Sequence, residues 1–339
     1  MKNRPLISFC IKSFNQKEYL VDALRGAFAQ TYRPLEIVIS DDASCDGSWE
    51  YIQAARDEFL AQVDGGGGVS VVVNRNENNL GNMGNWLRLC ELSSGELLVK
   101  ADGDDISLPE RTQKIVDAWM ADGCRAKVIS HAGIEIGPKG EPLGFHSQCS
   151  ALDPHGAEMA FSREIFETFA VPCDSRMVDD LVWGVRGRML GPELVIKDRL
   201  VLYRVGSGTT STLFKPRKQQ IYVYNQYLKA VKQLRCDIDR IADRLTLEDQ
   251  KKWIEFLADR EAHATKHLSL YCGGFLERYY AAKDILPFSK LTQQLAFQKV
   301  AWLMPAWIGD PMLFSYYCIR YWIKRLKFRK IPLFAKAKS

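Results

Sequence analysis

Short apolar runs alternate with helical periodicity along residues 6–101 of the chain. Four runs predict buried strands, at 6–14, 35–40, 69–74 and 96–101. Between the first two, apolar residues recur at the i, i+3, i+4 spacing of an amphipathic helix: Leu20, Ala23, Leu24, Ala27 and Phe28. Helices also fit 47–62 and 82–93. This order predicts an α/β fold, with a mostly parallel sheet sandwiched by helices.

The pattern continues less regularly up to about residue 212. Ser107 and Glu110 have capping-box spacing, which predicts a helix over 108–121. Strand-like segments follow at 126–136 and 193–205, and a further helix fits 179–190.

A change of character near residue 212 predicts a domain boundary. Strand patterns end there, and from Lys215 onward apolar residues recur every three or four positions, as in long helices. Thr246, with Asp249 three residues later, predicts the start of a second long helix. We therefore predict one domain over 1–212, with a nucleotide-binding half (1–105) and an acceptor half (106–212). A helical region over 213–339 follows it.

Positive charge is concentrated at the carboxyl terminus. The 339 residues carry a formal net charge of +5, yet 311–339 holds eight Lys or Arg and no Asp or Glu. The first 310 residues therefore hold 38 basic and 41 acidic side chains, which argues against a nucleic-acid-binding body. The nine cysteines form no CxxC or CxxH pair, and the first strand-like run is too short and polar for a signal peptide. We expect a cytoplasmic protein without a cysteine-based zinc site.

The carboxyl-terminal segment interleaves aromatic and basic residues. Six basic residues lie between 320 and 330, and eight aromatic residues lie within 302–328, namely Trp302, Trp307, Phe314, Tyr316, Tyr317, Tyr321, Trp322 and Phe328. This composition suits the headgroup region of an anionic membrane, and it equally fits a packed helix with a basic rim or a homodimer contact. No run of 18 apolar residues exists to span a bilayer.

Three aspartates gather where the fourth predicted strand ends, in "LLVKADGDDISLPER". Asp102 and Asp104, at D-x-D spacing, can jointly hold one Mg²⁺ or Mn²⁺ ion, which takes oxygen ligands and leaves positions for substrate phosphates. A calcium loop is excluded, because the sixth position counted from Asp102 is Ser107 rather than Gly. A solvated acidic turn that caps a helix is the alternative interpretation.

Five ordered blocks of sequence resemble the family 2 glycosyltransferases of the GT-A fold. They are "CIKSFNQKEYLVDALRGAFAQTY", "LEIVISDDASCDGS", "NLGNMGNW", "LLVKADGDDISLPER" and "VDDLVWGVR", and they lie within residues 5–211. The resemblance implies a GT-A sheet and transfer of a sugar from a nucleotide-sugar donor. One departure is Gly206, where many relatives carry a histidine, so a third ligand on the metal side is left open.

The resemblance also implies roles for individual residues. The nucleotide-sugar site would be formed by eight residues, namely Ser13, Asn15, Glu18, Asp41, Asp42, Asn82, Asp102 and Asp104. Among these, Asp42 with Asp41 beside it would face the base, and Asp104 and Asp102 would hold the divalent cation. Asp105 would be a structural third acid. Asp180 would be the catalytic base and Asp179 its acidic neighbour, although a helix-opening acidic pair favoured by the helix dipole is the alternative.

Three residues are candidates for the acceptor side: His155, Gly156 and Trp183. His155 lies in a predicted loop and is also compatible with a surface position. His263 and His267 share one helical face, but no HExxH pattern surrounds them, so packing or solvent exposure is expected.

These patterns predict an inverting, metal-dependent glycosyltransferase with a UDP- or dTDP-sugar donor. Its acceptor would be a saccharide or lipid-linked saccharide in surface polysaccharide, O-antigen or capsule synthesis, with attachment to the inner membrane face as a further expectation. One alternative is a sugar-phosphate nucleotidyltransferase. Such an enzyme would need a Gly-rich loop after the first strand, and "IKSFNQKEYL" contains none. A non-catalytic scaffold that binds a nucleotide-sugar or a membrane is the other alternative.

Overall fold

The chain is described from a computed structural model. The structure describes residues 4–62, 67–146, 149–152, 155–172, 174–206 and 217–273, together with 277–278, 280–281, 301, 311–312 and 319. The chain divides into two compact units, Met1–Thr209 and Thr210–Ser339. The boundary predicted at residue 212 lies outside the described residues, and it stays a prediction.

The described part of the first unit contains nine strands: β1 (Ile7–Ser13), β2 (Leu35–Asp41), β3 (Val69–Arg75), β4 (Leu97–Asp102), β5 (Ile106–Ser107), β6 (Val128–Ile136), β7 (Pro142–Phe145), β8 (Met159–Ser162) and β9 (Glu193–Arg204). It also contains six α-helices: α1 (Lys17–Phe28), α2 (Ser48–Gln62), α3 (Gly81–Leu92), α4 (Arg111–Ala121), α5 (Arg163–Thr168) and α6 (Asp179–Leu190). A 3-10 turn at Gly156–Glu158 precedes β8.

All nine strands belong to one sheet, with the order β3-β2-β1-β4-β8-β6-β9-β5 and with β7 paired to β6. The four strands predicted from the apolar runs pair in parallel, so the α/β prediction is confirmed. The sheet is more mixed than predicted, because β8 pairs antiparallel with β4 and β6, and β5 and β7 are antiparallel additions.

The register of the parallel strands brings their carboxyl ends together. Ser13 on β1 pairs with Asp41 on β2, and Lys12 pairs with Asp102 on β4. In parallel sheets this edge is where ligands bind, because the loops that follow the strands open there. The strand register therefore brings Ser13, Asp41 and Asp102 to one edge of the sheet.

The core explains why the central strands are continuous apolar runs. Every residue of β1 and β2 is buried. Ile7, Phe9 and Ile11 share a cluster with Leu20 and Leu24 of α1. Burial on both faces of the sheet removes the alternation that a half-exposed strand would show.

The predicted capping box at Ser107 is wrong. Helix α4 begins at Arg111, and Ser107 lies in β5, where it pairs with Val201 of β9. Its hydroxyl accepts a hydrogen bond from Arg111 Nη1 at 2.9 Å instead of capping a helix. Local capping preference is overridden here by strand pairing, which the sequence spacing does not encode.

Two long helices form the described part of the second unit, α7 (Arg217–Arg240) and α8 (Leu247–Cys272). The predicted cap of α8 is confirmed, since Thr246 Oγ1 accepts a hydrogen bond from Asp249 N at 3.0 Å. His267 packs as expected, with its ring stacked on Tyr224 at 4.6 Å.

The aromatic and basic tail lies almost wholly outside the described residues, including the eight aromatic side chains named above. In the part of the chain that is described, no helix is long and apolar enough to cross a membrane.

Candidate active site

Three buried polar atoms line the carboxyl edge of β1, β2 and β4. They are Ser13 Oγ, Asp41 Oδ1 and Asp102 Oδ1, and within the described residues none of them has a hydrogen-bond partner. A buried polar atom without a partner costs roughly 1–3 kcal/mol, so such atoms are few in native proteins. Three of them on adjacent strand ends indicate a site that a polar ligand completes.

Asp42 is held differently from Asp41. Its carboxylate accepts hydrogen bonds from Asn76 Nδ2 at 2.8 Å, from Leu80 N at 2.8 Å and from Gly81 N at 2.9 Å. These bonds fix the start of α3 against the end of β2. In the pair Asp41 and Asp42, the oxygen without a hydrogen-bond partner is Asp41 Oδ1. Burial raises the pKa of Asp41. The base-facing role predicted for Asp42 stays a prediction, and the geometry favours Asp41 for it.

The remaining residues predicted for the nucleotide site lie on the loops around this edge. Asn15 adopts a left-handed conformation with φ 50°, and its Oδ1 accepts a hydrogen bond from Cys45 N at 2.9 Å. It thereby links the loop after β1 to the loop after β2. Glu18 and Asn82 are exposed in the first turns of α1 and α3.

Asp105, for which the resemblance implies a structural role, is tied to the end of the last strand. It is buried, and its Oδ1 accepts a hydrogen bond from Arg204 N at 2.7 Å, which joins the acidic loop to the end of β9. Burial, together with the charges of Asp104 and Asp102, raises its pKa well above the ordinary value. Its contribution is to shape the loop that presents Asp104 and Asp102.

Two buried lysines, which the sequence did not single out, hold the acidic residues in place. Lys12 Nζ lies 3.3 Å from Asp102 Oδ1 and donates a hydrogen bond to Asp179 Oδ2 at 3.1 Å. Lys100 Nζ donates to Asp179 Oδ2 at 2.7 Å and also contacts Asp180 Oδ1. Their signal in the sequence is a lysine inside an otherwise apolar run, as in "LLVKAD", because a buried charge requires a partner.

This network distributes charge unequally over the acidic pair. Burial alone would raise the pKa of Asp179, but the charges of Lys100 and Lys12 outweigh it and hold that pKa well below the usual range. Burial and the charge of Asp179 raise the pKa of Asp180, against the opposing effect of Lys100. The pair thus consists of one permanently ionised carboxylate and one of greater basicity.

The two carboxylates also differ in access. The Asp179 side chain is 3% exposed and the Asp180 side chain is 22% exposed, so only Asp180 reaches solvent. Gly156 packs against the Asp180 carboxylate. A Cβ added at Gly156 would lie 2.7 Å from both Asp180 oxygens and 2.8 Å from Lys100 Nζ. Gly156 therefore adjoins the carboxylate predicted to be the base.

The other two residues predicted for the acceptor side are Trp183 and His155. Trp183 is 2% exposed, and its ring packs against Trp86 at 6.2 Å, so it anchors α6 against α3. His155 Nδ1 lies 3.2 Å from Glu158 Oε2, within a cluster described below. Contact of either residue with an acceptor stays a prediction.

The acidic loop fits a hard divalent cation. Asp102 and Asp104 both present carboxylate oxygens, which Mg²⁺ and Mn²⁺ prefer, and Asp102 Oδ1 is buried without a hydrogen-bond partner. Magnesium sites typically use one or two carboxylates and complete the coordination with water and substrate phosphates. The donor set therefore suits an ion that arrives with a nucleotide diphosphate.

Comparison with known proteins agrees with this geometry. Residues 8–169 match the family model described as Glycosyl transferase family 2. This segment, just under half of the chain, is a family 2 glycosyltransferase segment. The matched segment contains β1 to β4 and the acidic loop, and the family predicted from the five sequence blocks is confirmed.

Two curated relatives are named as bacterial transferases of sugars. Abequosyltransferase RfbV of Salmonella typhimurium is 36% identical over 102 residues, which cover 30% of this chain and 28% of that protein. The undecaprenyl-phosphate 4-deoxy-4-formamido-L-arabinose transferase of Pseudomonas aeruginosa is 35% identical over 115 residues, or 33% of this chain and 32% of that protein. The chain thus matches about a third of the length of each of these two relatives.

A solved structure extends the likeness beyond the matched segment. The mannosyltransferase PcManGT from Pyrobaculum calidifontis, solved with GDP-Man and Mn²⁺, superposes with a TM-score of 0.56 at 16% identity. The superposition covers 96% of this chain and 88% of that protein. The predicted GT-A fold is confirmed.

Proposed function

We propose that this family 2 glycosyltransferase transfers a sugar, with inversion at the anomeric carbon, from a nucleotide-diphospho-sugar to a saccharide or lipid-linked saccharide. The observation that carries the proposal is a juxtaposition of two features. Unpartnered polar atoms of Ser13, Asp41 and Asp102 line one strand edge, and the partly exposed carboxylate of Asp180 is tied to the same edge through Lys12, Lys100 and Asp179.

The strand edge suits the donor. Ser13 Oγ can donate to or accept from a nucleotide, and Asp41 Oδ1 can accept an N–H from a base. UDP- and dTDP-sugars are favoured, because the pyrimidine imide N–H is the donor that such an acceptor needs. GDP-Man in the complex of the Pyrobaculum relative supports a nucleotide-diphospho-sugar as the donor class.

Asp180 suits the acceptor. Inversion by a single displacement needs one group that takes the proton of the acceptor hydroxyl as that oxygen bonds to the anomeric carbon. Asp180 is the exposed member of the pair, and burial together with Asp179 raises its pKa, which makes it the better proton acceptor. Asp179, held by Lys12 and Lys100, keeps this part of α6 fixed.

Asp102 and Asp104 would hold the divalent cation, Mg²⁺ or Mn²⁺. When bound, such an ion neutralises charge that develops on the departing nucleotide diphosphate. The relative solved with Mn²⁺ supports this assignment. Lys12 Nζ lies 3.3 Å from Asp102 Oδ1, the oxygen that has no hydrogen-bond partner within the described residues, so its charge helps to hold this carboxylate in place.

Surface polysaccharide assembly is the proposed setting. The names of the Salmonella and Pseudomonas relatives describe transfer of an abequosyl group and transfer to undecaprenyl-phosphate, which supports a lipid-linked acceptor at the inner membrane face. The basic residues of 311–339 would contribute attraction to anionic lipid, and the helical region would serve docking or dimerisation.

Calorimetric titration of UDP, dTDP and GDP, each with Mn²⁺ and with EDTA, tests the donor site. We expect one nucleotide to bind with Mn²⁺ and to bind at least tenfold more weakly with EDTA. Asp104→Asn should remove that dependence, whereas Asp198→Asn, an exposed acid on β9, should keep it. Equal affinity in Mn²⁺ and EDTA would refute the metal role.

Incubation of the full chain with each nucleotide-sugar then separates the alternatives. Binding without transfer or hydrolysis would favour a non-catalytic scaffold. Formation of a nucleotide-sugar from a sugar phosphate and a nucleoside triphosphate would favour a nucleotidyltransferase.

A further inference from the structure

A compact cluster of two histidines and one glutamate lies between the end of β7 and the 3-10 turn before β8. His146 Nδ1 lies 2.9 Å from Glu158 Oε1, and His155 Nδ1 lies 3.2 Å from Glu158 Oε2. One ligand atom from each of the three residues falls within 4.8 Å of the others. None of the roles assigned above to the donor, the cation or the proton uses this cluster.

The charge of Glu158 makes the cluster unusual. Its side chain is fully buried, and within the described residues its ionic partners are the two histidines alone. Burying a carboxylate is costly unless it is paired with a cation or coordinates a metal ion.

The chain also makes room for this carboxylate. Gly133 on β6 faces it, and a Cβ added there would lie 2.0 Å from Glu158 Oε1. The backbone of His155 is fixed as well, because its N–H donates to Cys149 Sγ at 3.2 Å. His146 stacks on Tyr203 with ring centroids 4.5 Å apart. The three ligand-bearing groups are thus each held by the fold.

The spacing fits a small transition-metal ion. Ligand atoms about 2.0–2.1 Å from a tetrahedral Zn²⁺ ion lie about 3.3 Å from one another. His146 Nδ1 lies 2.9 Å from Glu158 Oε1 and His155 Nδ1 lies 3.2 Å from Glu158 Oε2, and both distances are close to that value. Two imidazoles with one carboxylate are a donor set that favours Zn²⁺ or Co²⁺ over Mg²⁺, and three protein ligands leave a fourth position open.

We propose that His146, His155 and Glu158 form a transition-metal site of the zinc class, separate from the Asp102 and Asp104 pair. A metal bound there would tie the end of β7 to the turn that carries Gly156. Gly156 forms the wall against Asp180, so the ion would act on the candidate active site by fixing that wall. This inference concerns metal binding and does not depend on the proposed sugar transfer.

Titration of the chelator-treated full chain with Co²⁺ tests the proposal directly. Tetrahedral Co²⁺ with nitrogen ligands absorbs far more strongly in the visible range than Co²⁺ in an octahedral oxygen site, so the spectrum distinguishes this cluster from the acidic loop. We expect one strongly absorbing Co²⁺ per chain, displaced by an equivalent of Zn²⁺. Absence of that band in the wild-type protein would overturn the proposal.

Matched variants locate the site. His146→Ala and His155→Ala should each weaken Co²⁺ binding at least tenfold. Two control variants should leave the absorption band unchanged: Asp104→Asn in the acidic loop, and His263→Ala, which replaces an exposed histidine of α8. His146→Gln, which retains a hydrogen-bond donor for Glu158, covers the case in which an alanine variant does not fold. A band that survives in folded His146→Gln with unchanged affinity would contradict the assignment.

Discussion

Lys100 Nζ donates a hydrogen bond to Asp179 Oδ2 at 2.7 Å, and the two side chains are 1% and 3% exposed. The pair joins the middle of β4 to the first turn of α6, which are 79 residues apart in the chain. Lys12 approaches the same oxygen at 3.1 Å from β1. The candidate active site is therefore assembled around a buried ionic network, and the accessible carboxylate of Asp180 lies at its margin.

Breaking this network on one side should strongly destabilise the first unit. Removing one partner of a buried ion pair leaves an uncompensated charge, which typically lowers the free energy of unfolding by about 3–5 kcal/mol. We expect Lys100→Met to fall in that range in urea denaturation. The double variant Lys100→Met, Asp179→Asn should be more stable than the single one, because Lys12 then still pairs with Asp102.

A surface pair provides the control for that measurement. Lys114 and Asp198 form an ion pair in which the side chains are 42% and 49% exposed. Lys114→Met should change the free energy of unfolding by at most about 1 kcal/mol, as is typical of exposed pairs. Equal destabilisation by Lys114→Met and Lys100→Met would contradict the importance given to burial.

His131 should make the protein sensitive to acid. It is fully buried, Arg111 Nε donates to its Nε2 at 3.0 Å, and burial with the charge of Arg111 lowers its pKa to about 3. The unfolded chain takes up this proton near pH 6.5, so between pH 6.5 and 3 the unfolded state binds more protons. The free energy of unfolding therefore falls as the pH falls through this range, by about 2 kcal/mol from this residue at pH 5.

Urea denaturation of the wild type and of His131→Gln at pH 7 and pH 5 checks this expectation. The variant lacks the titrating group, so its loss of stability between the two pH values should be smaller by about 2 kcal/mol. His263→Gln, in an exposed residue, should behave as the wild type. An identical pH dependence in His131→Gln would show that other groups cause the acid sensitivity.

Gly156→Ala should reduce transfer while the protein remains folded. The added methyl group would lie 2.7 Å from both Asp180 oxygens, so the carboxylate must move from the position it now holds beside Lys100. A displacement of this kind typically lowers the rate of a positioned proton transfer by about 10²-fold. Gly140→Ala is the matched control, because nothing lies within 4 Å of its added Cβ. Its φ of 77° makes alanine unfavourable by about 1–2 kcal/mol, so it should lose stability and keep activity.

The parallel half of the fold could be predicted from the sequence because burial on both sheet faces makes β1, β2 and β4 mostly apolar runs. The antiparallel half was largely missed. Strands β5, β7 and β8 contain two to four residues each, too few for a period-2 pattern to emerge. Their pairing depends on long-range contacts, such as Ile106 with Leu202, that local sequence does not specify.

The candidate site was predictable in its acids and not in its cations. Asp102, Asp104, Asp179 and Asp180 are conspicuous as pairs in the sequence. Lys12 and Lys100 link Asp102 to the pair on α6 in the folded chain. A single lysine within an apolar run, like Lys12 or Lys100, has no local partner. Its carboxylate lies 167 or 79 residues away along the chain, so only the folded structure reveals what it neutralises.

The two members of the acidic pair should respond differently to the same substitution. Asp180→Asn removes the accessible carboxylate, and an amide cannot accept the proton of an acceptor hydroxyl, so single-turnover transfer should fall by about 10²–10⁴-fold with donor affinity unchanged. Asp179→Asn keeps that carboxylate but leaves Lys12 and Lys100 with one fewer partner, so it should lower the free energy of unfolding more than it lowers transfer. Transfer rates, nucleotide affinity and urea denaturation measured for both variants separate these effects. Full transfer activity in Asp180→Asn together with loss of transfer in Asp179→Asn would assign the role of base to Asp179. That outcome would require the buried, doubly paired carboxylate of Asp179 to leave both lysines during the reaction.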